Sequence, residues 1–222
     1  MSTRSAAIKK RVEAKASGTD AGVISLASAD LGWVFRLKKP KGGFSDKEFW
    51  RFCKHNPDLR IEMTKEGEMI IMMPMAASGG NREFELSGQF AAWVKVDNTG
   101  LGFSPSTIFT LSNGAKRSPD VSWIRQERWD ALTDEQKNSA TRICPDFVVE
   151  LRSKTDRLKP LLAKMEEYIE CGAQLGWLID PKEKKVHIYR PGAPPEVLDN
   201  PTEISGEPLL QGFTLKLEGI ID

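Results

Sequence analysis

The chain has 222 residues, of which 40% are hydrophobic and 28% charged, and 32 lysines and arginines nearly balance 31 aspartates and glutamates. This length supports one domain with additions, or two small ones, around a buried core, and the composition excludes a chain that is mainly disordered. The net charge of +1 argues against a general polyanion-binding protein, and no run of about 18 apolar residues is present that could span a membrane.

The first 43 residues are predicted to form a mobile N-terminal arm and lead-in segment before a single domain over residues 44–222. The first thirty residues are rich in Ser, Ala, Gly and Lys, and the basic group Lys9–Arg11 is not followed by an apolar segment. This pattern is not that of a secretory signal. A targeting sequence for an organelle stays open as the alternative, because the arm contains few acids.

The first half of the domain is predicted to contain two helices and four strands. Ser45 and Glu48 have the spacing of a capping box, which predicts a helix that ends near His55. After it the patterns predict a hairpin of two strands, a long helix and two strands that flank a turn, which are Leu59–Met63, Met69–Met73, Ser78–Asn98, Gly102–Ser104 and Ile108–Leu111.

The second half is predicted to alternate between strands and helices. In chain order the segments are a strand, a helix, a strand, a helix and two strands, which are Pro119–Ile124, Trp129–Ala140, Pro145–Leu151, Asp156–Glu170, Leu175–Ile179 and Lys185–Tyr189. The continuous apolar run Phe147–Val149 indicates a strand that is buried on both faces. This order of elements favours an α/β fold with a mixed, partly antiparallel sheet.

Two acidic residues interrupt the apolar strands and are the candidates for chemistry. Glu150 follows two apolar valines where a strand leaves the core, and a buried carboxylate is costly there unless a cation or a metal compensates it. Asp120 opens the other strand that begins at a proline. Together they could bind Mg²⁺ or Mn²⁺ through carboxylate oxygens. The alternative is structural, with Asp120 as a strand-start residue and Glu150 in an ion pair with Arg152 or Arg125.

The helix over residues 156–170 adds a cation to these acids. Its predicted apolar stripe consists of Leu158, Leu161, Leu162, Met165, Tyr168 and Ile169, with Glu166, Glu167 and Glu170 on the opposite side. Lys164 lies at the margin of the stripe, from which it could reach Glu150 as a point charge. The alternative is that Lys164 only packs its aliphatic stem on the core.

Five short motifs, taken in order, carry a resemblance to a known family. They are Lys116–Ser122, Cys144–Ser153, Lys164–Tyr168, Gly176–Pro181 and Ile188–Gly192. Together they strongly resemble the Uma2 family of restriction-endonuclease-like proteins, from about Ser45 to the C-terminus. The resemblance implies an α/β fold of the PD-(D/E)XK type, in which a restriction-endonuclease-like mixed β-sheet is flanked by helices.

The resemblance also implies roles for single residues. Asp120 and Glu150 would bind the metal, and Lys164 would stand for the catalytic lysine, moved to a helix. An acid from the first core helix often completes such sites. We favour Glu85 over Glu83 for it, because the two side chains point about 200° apart on a helix and only one can face the site.

Basic residues next to the proposed site are candidates for contact with phosphate groups of a nucleic acid. Around the single acid Asp156 lie four of them, Arg152, Lys154, Arg157 and Lys159. Arg152 also occupies the position, two residues after Glu150, where nucleases of this superfamily usually carry lysine. The alternative is a solvated surface with local ion pairs.

The sequence therefore predicts an endonuclease that depends on Mg²⁺ or Mn²⁺ and hydrolyses phosphodiester bonds of DNA, or less favourably RNA, through a metal-activated water. The main alternative is a catalytically silent protein of the same fold that serves as a binding or assembly module, and a two-carboxylate hydrolase of sugars is the least favoured. A homodimer is expected because two sites can then meet two strands. No base-reading motif such as a helix-turn-helix is present.

The cysteines and histidines are not predicted to take part in catalysis. Cys53, Cys144 and Cys171 are an odd number without C-x-x-C spacing, which indicates neither a disulfide framework nor a thiolate zinc site. A reducing cytoplasm fits this pattern best. His55 and His187 lie in segments with no evident relation to the cysteines, so both are predicted to be structural or surface residues.

Overall fold

The computed structural model describes residues 23–25, 35–39 and 42–222, and these contain fourteen strands and five helices. The chain divides into two compact units, Met1–Met73 and Pro74–Asp222. Most of the predicted N-terminal arm lies outside the described residues, and the domain boundary after residue 43 stays a prediction. Within the described part, no helix is both long and apolar enough to cross a bilayer.

The first unit contains an antiparallel sheet and one helix. Its elements are β1 Val23–Ser25, β2 Phe35–Lys38, α1 Asp46–His55, β3 Arg60–Met63 and β4 Met69–Met72. The strands of this unit pair in the order β1, β2, β4, β3, and β3 with β4 forms the predicted hairpin. The predicted capping box is confirmed, because the Ser45 hydroxyl accepts from the Glu48 N–H and the Glu48 carboxylate accepts from the Ser45 N–H.

The second unit contains the remaining helices and strands. They are α2 Ala77–Asp97, β5 Gly100–Phe103, β6 Phe109–Thr110, β7 Lys116–Arg117, β8 Val121–Arg125, α3 Gln126–Asp130, α4 Asp134–Lys137, β9 Phe147–Leu151, α5 Leu158–Glu170, β10 Leu175–Asp180, β11 Lys185–Tyr189, β12 Glu196–Asp199, β13 Glu203–Ser205 and β14 Thr214–Lys216. The long helix α2, the strand β9 and the helix α5 lie close to their predicted positions.

One local prediction in the second unit differs from the structure. The segment Trp129–Ala140 is not one helix, because Thr133 begins a new helix, α4, with a capping box to Gln136. The strands predicted on either side of a turn, β5 and β6, do not pair with each other. Instead β5 pairs with β8 and β6 pairs with β7.

Six strands of the second unit form a mixed sheet in the order β12, β11, β10, β9, β8, β5. The neighbours β9 and β10 are parallel, and the other pairs are antiparallel. Each residue of β9 is buried, which confirms the prediction of burial on both faces. The predicted α/β fold with a mixed sheet is therefore confirmed, and β9 lies inside that sheet.

One face of this sheet is apolar and packs against α2. Side chains alternate along a strand, so Phe147, Val149 and Leu151 of β9 share this face. They belong to one buried cluster with Leu86 and Phe90 of α2. We call this side of the sheet the α2 face.

The other face packs against α5 and carries the candidate chemistry. Val148 of β9 belongs to a buried cluster with Met165 and Tyr168 of α5. Glu150 is two residues after Val148 and therefore points to the same side. We call this side of the sheet the α5 face.

Candidate active site

Asp120 and Glu150 lie at the same end of the β8–β9 ladder. Val121 pairs with Val149 in this antiparallel ladder, and the Asp120 N–H donates to the Val149 carbonyl at 3.0 Å. One step further along both strands brings Asp120 opposite Glu150, on the α5 face. Their exposed fractions are 6% and 4%. Two buried acids therefore meet where two neighbouring strands end.

The backbone of β9 holds the carboxylate of Asp120. Its Oδ2 accepts a hydrogen bond of 2.8 Å from the Leu151 N–H. Because a backbone group of the sheet makes this contact, the sheet itself fixes the orientation of the Asp120 side chain. The alternative interpretation, in which Asp120 is a structural residue at the start of a strand, agrees with this contact. A structural role and a metal-binding role of Asp120 are compatible.

Two side chains of α5 compensate Glu150. The Lys164 ammonium lies 2.8 Å from Oε1 of Glu150, and the Tyr168 hydroxyl donates to the same oxygen at 3.0 Å. Lys164 and Tyr168 are four residues apart on one face of the helix, so both can point at the sheet. The predicted reach of Lys164 toward Glu150 is confirmed. The side chain of Lys164 is 13% exposed, which places its charge in a mostly buried position.

Arg152 and Arg125 were the alternative partners of Glu150. Each of them lies beside another carboxylate. Arg152 Nη1 lies 2.5 Å from Oδ2 of Asp180 and 3.2 Å from Oε1 of Glu183. Arg125 Nε lies 3.8 Å from Oδ1 of Asp146.

The environment of Arg152 differs from that of a phosphate-binding surface residue. Burial disfavours its charged form, but the hydrogen bonds and charges of Asp180 and Glu183 outweigh this effect and raise the pKa of Arg152 above its ordinary value. Arg152 is 9% exposed, and two carboxylates already balance its charge. The placement favours a structural ion pair over the predicted phosphate contact.

The other predicted phosphate contacts lie at the surface. Lys154, Arg157 and Lys159 are exposed, and they occupy the loop after β9 and the first turn of α5. This loop leaves β9 two residues after Glu150. A basic surface therefore adjoins the two acids, as the spacing indicated, although it contains three exposed cations rather than four.

The predicted third acid is not brought to Asp120 and Glu150. Leu86 and Phe90 bury α2 against the α2 face, whereas Glu150 points to the α5 face. The side chain of Glu85 is exposed, and that of Glu83 is partly buried. Among residues 23–25, 35–39 and 42–222, no three His, Cys, Asp or Glu side chains group together in a way that could hold a metal ion.

An ion pair that sequence reasoning missed connects α5 to the segment before Asp120. Glu167 was expected on the exposed side of the helix, and this prediction is wrong, since its exposed fraction is 9%. Its Oε2 lies 2.6 Å from Nε of Arg117, and its Oε1 accepts from the Asn113 amide at 3.0 Å. The segment over residues 113–117 covers this side of α5, which explains the burial. Arg117 lies in the first of the five motifs. Its place in a family motif was the signal in the sequence that could have indicated this ion pair.

The two acids provide a donor set that suits a hard divalent cation. Mg²⁺ prefers oxygen ligands, keeps several waters and is commonly held by one or two protein carboxylates. The chemistry of this pair, two carboxylates at the ends of neighbouring strands, therefore fits a magnesium or manganese ion.

Buried thiol and imidazole groups nearby show no sign of nucleophilic function. Burial raises the pKa of the Cys144 thiol to about 12, with a smaller contribution from Cys171, so the thiol is protonated at neutral pH. Burial likewise lowers the pKa of His187, and its neutral form is favoured. Both observations agree with the prediction that these residues are structural.

Comparison with known proteins agrees with the motifs. The Uma2 family model, described as "Putative restriction endonuclease", matches residues 46–218. A crystal structure described as a "putative nuclease belonging to DUF820", from Anabaena variabilis, is similar to this chain with a TM-score of 0.61 and 24% sequence identity. The similarity covers 72% of this chain and 89% of that one, and it supports the fold. No curated protein matches the chain.

Proposed function

Because the chain belongs to the Uma2 family, we propose that it is a nuclease that hydrolyses phosphodiester bonds of DNA with the help of Mg²⁺ or Mn²⁺. The observation that carries this proposal is the arrangement of Asp120, Glu150 and Lys164 at one end of β8 and β9. Two acids can hold a hard cation, and a lysine can meet the negative charge of a phosphate.

Each residue of this group has a distinct task in the proposed reaction. A divalent ion held by Asp120 and Glu150 would polarise a phosphate ester and lower the pKa of a water molecule. Asp120 keeps its orientation through the Leu151 N–H, and the Tyr168 hydroxyl restricts the Glu150 side chain. Lys164 supplies a positive charge that stabilises the negative charge developing on the phosphate in the transition state.

Contact with DNA would use the exposed basic residues after β9. Lys154, Arg157 and Lys159 lie beside the proposed site and can bind backbone phosphates without reading bases. About three such contacts predict a strong salt dependence of binding. A plot of the logarithm of the binding constant against the logarithm of the salt concentration should have a slope of about −3. The net charge of +1 agrees with weak and salt-sensitive binding.

Cleavage of supercoiled plasmid DNA in Mg²⁺, in Mn²⁺ and with EDTA tests the proposal. We expect cleavage that requires the metal, that falls below detection in Asp120→Asn and Glu150→Gln, and that falls by at least about 100-fold in Lys164→Met. Cleavage that survives all three substitutions contradicts the proposed site. RNA of the same sequence, used in parallel, distinguishes the two substrates.

Asp146→Asn is the matched control for these variants. Asp146 is also a buried acid, 3% exposed, and it lies directly before β9, at the opposite end of the strand from Glu150. Its carboxylate is 2.9 Å from Nη1 of Arg128 and accepts from the Arg125 N–H at 3.0 Å. We expect this variant to lose stability but to keep its cleavage rate per folded molecule. An equal loss of cleavage in Asp146→Asn would mean that the effects at Asp120 and Glu150 reflect stability alone.

A catalytically silent binding or assembly module is the second candidate function. The observation that favours it is that two protein groups, the Lys164 ammonium and the Tyr168 hydroxyl, compensate the Glu150 carboxylate. Titration calorimetry with Mn²⁺ separates the two functions. Heat of binding in the wild type that is absent in Asp120→Asn/Glu150→Gln supports the nuclease, whereas identical traces for both proteins favour the silent module.

A further inference from the structure

We propose that the exposed side of α2 forms the contact between two copies of the chain in a symmetric dimer. The surface consists of Phe84, Gly88, Ala92 and Val96, and we call it the α2 ridge. It lies on the side of the helix away from the sheet. The proposal goes beyond the nuclease function and does not depend on it, because neither DNA nor metal takes part.

The helix α2 is apolar on both of its sides. Leu86 and Phe90 are buried against the sheet, and Trp93 and Val94 pack on the same cluster. A helix at the surface of a globular protein normally shows polar residues on its other side. Here that side carries the α2 ridge, with the exposed residues Glu85 and Lys95 beside it.

The α2 ridge is exposed in the described part of the chain. Phe84 is 74% exposed and Val96 is 86% exposed, and Gly88 and Ala92 between them are exposed as well. The four residues are spaced by four and form one row along the helix. Contiguous exposed apolar surface of this kind is typical of an interaction site.

The order of residues in the α2 ridge is complementary to itself. Phe84 and Val96 are equally far from residue 90, and so are Gly88 and Ala92. An antiparallel second copy centred on residue 90 therefore places Phe84 against Val96 of that copy and Gly88 against its Ala92. A two-fold axis repeats each contact, as in the commonest class of homo-oligomer.

The small residues at the centre of the α2 ridge permit close packing. A Cβ atom added at Gly88 would have no heavy atom within 4 Å apart from its chain neighbours and the adjacent backbone of α2, which shows open space above the helix at this point. Helix axes packed across glycine and alanine can approach to about 8 Å, the short end of the usual range. At this separation Phe84 and Val96 can reach the second helix on either side.

Charges beside the α2 ridge favour the antiparallel arrangement and a second copy as the partner. Glu85 and Lys95 are exposed and are also equally far from residue 90. In the antiparallel pair each Glu85 faces Lys95 of the second copy, whereas a parallel pair would bring like charges together. Complementary charges of this kind select partner and register more than they add affinity.

The size of the α2 ridge indicates a weak dimer. Stable interfaces usually bury at least about 1,200 Å² in total, and one row of a helix provides less than that. We therefore expect a dissociation constant on the order of 1–100 µM. The dimer should dissociate on dilution.

Sedimentation equilibrium of the full chain over this concentration range, without DNA or metal, tests the proposal. We expect a monomer–dimer equilibrium in the wild type and a dissociation constant at least about 100-fold higher in Ala92→Glu, because the substitution buries two charges at the centre of the contact. Ala163→Glu is the matched control. Ala163 is exposed on α5, and its substitution should leave the equilibrium unchanged.

Charge reversal gives a second test that does not change the apolar residues. Glu85→Lys should weaken the dimer about 10-fold by placing lysine against Lys95 of the second copy, and Glu85→Lys/Lys95→Glu should restore wild-type dissociation. Circular dichroism verifies that each variant is folded.

Two results would overturn the proposal. One is a wild type that stays monomeric at every concentration, which would mean that another partner, or a segment outside the described residues, covers the α2 ridge. The other is a dimer that resists both Ala92→Glu and Glu85→Lys, because its interface would then lie elsewhere. Loss of DNA cleavage with an intact dimer would count against the nuclease function only.

Discussion

The two faces of the six-stranded sheet are stabilised in different ways, although the strand β9 contributes to both. On the α2 face, Phe147 contacts Trp177 and Phe90 with ring centroids 4.8 Å and 5.5 Å apart. On the α5 face, Glu150 alternates with these apolar residues and is compensated by Lys164. The α2 face is stabilised by apolar packing, whereas the α5 face combines apolar packing with buried charges that need their partners.

Removal of a large aromatic side chain from the α2 face should have the largest effect on stability. Phe147→Ala leaves a cavity among Phe90 and Trp177, and we expect a loss of about 3–5 kcal/mol in the free energy of unfolding, measured with urea. Val197→Ala is the control, because that side chain is 50% exposed and lies outside the α2 ridge. A loss of less than about 1 kcal/mol in Phe147→Ala would show that the aromatic cluster can collapse around the cavity.

Removal of one partner of the ion pair Arg117–Glu167 tests the α5 face. Arg117→Met leaves the Glu167 carboxylate buried without that cation, and we expect a loss of about 3 kcal/mol. The double variant Arg117→Met/Glu167→Met removes both charges and should recover most of that loss. If the double variant is less stable than either single one, packing rather than charge determines the stability of this face, and the contrast between the two faces disappears.

Local patterns in the sequence were sufficient to predict the elements that carry the proposed site. The apolar run before Glu150 predicted a buried strand, and the position of Lys164 at the margin of an apolar stripe predicted its reach toward that acid. Both predictions rest on residues that are close in sequence, where the periodicity of a strand or helix fixes which side chains share a face. The structure confirms both of these placements.

The features that could not be predicted depend on contacts between distant residues. The burial of Glu167 depends on a segment 50 to 54 residues earlier, which covers that side of α5. Likewise, the periodicity of α2 did not show which face of the sheet it would cover, and therefore did not exclude Glu85 from the group of acids. A pattern shows which side of an element is apolar, but the tertiary fold decides what packs against each side.

The hydroxyl of Tyr168 tests the compensation of Glu150 more finely than removal of a charge. Tyr168→Phe keeps the ring, which is fully buried, and removes one hydrogen bond to the carboxylate. A hydrogen bond to a charged group contributes about 1.5–3 kcal/mol, so we expect a loss of about 2 kcal/mol in urea unfolding. Tyr189→Phe, at a second buried tyrosine, serves as the control. Equal losses in the free energy of unfolding in both variants would mean that the hydrogen bond to Glu150 stabilises the protein no more than any other buried tyrosine hydroxyl does.

The smallest expected effect is a pH dependence of stability that arises on the α5 face from His187. Burial lowers the pKa of His187, so below the ordinary value of about 6.5 the unfolded chain binds a proton that the folded chain does not. The contribution of His187 to the free energy of unfolding is therefore complete above about pH 6.5, and it is lost as the pH falls toward the pKa of the folded protein.

Urea unfolding at decreasing pH measures this contribution. It should show a steeper loss of stability in the wild type than in His187→Gln. His55, which is exposed, provides the control, and His55→Gln should follow the wild type. Identical slopes for the wild type and His187→Gln would show that His187 does not cause the pH dependence.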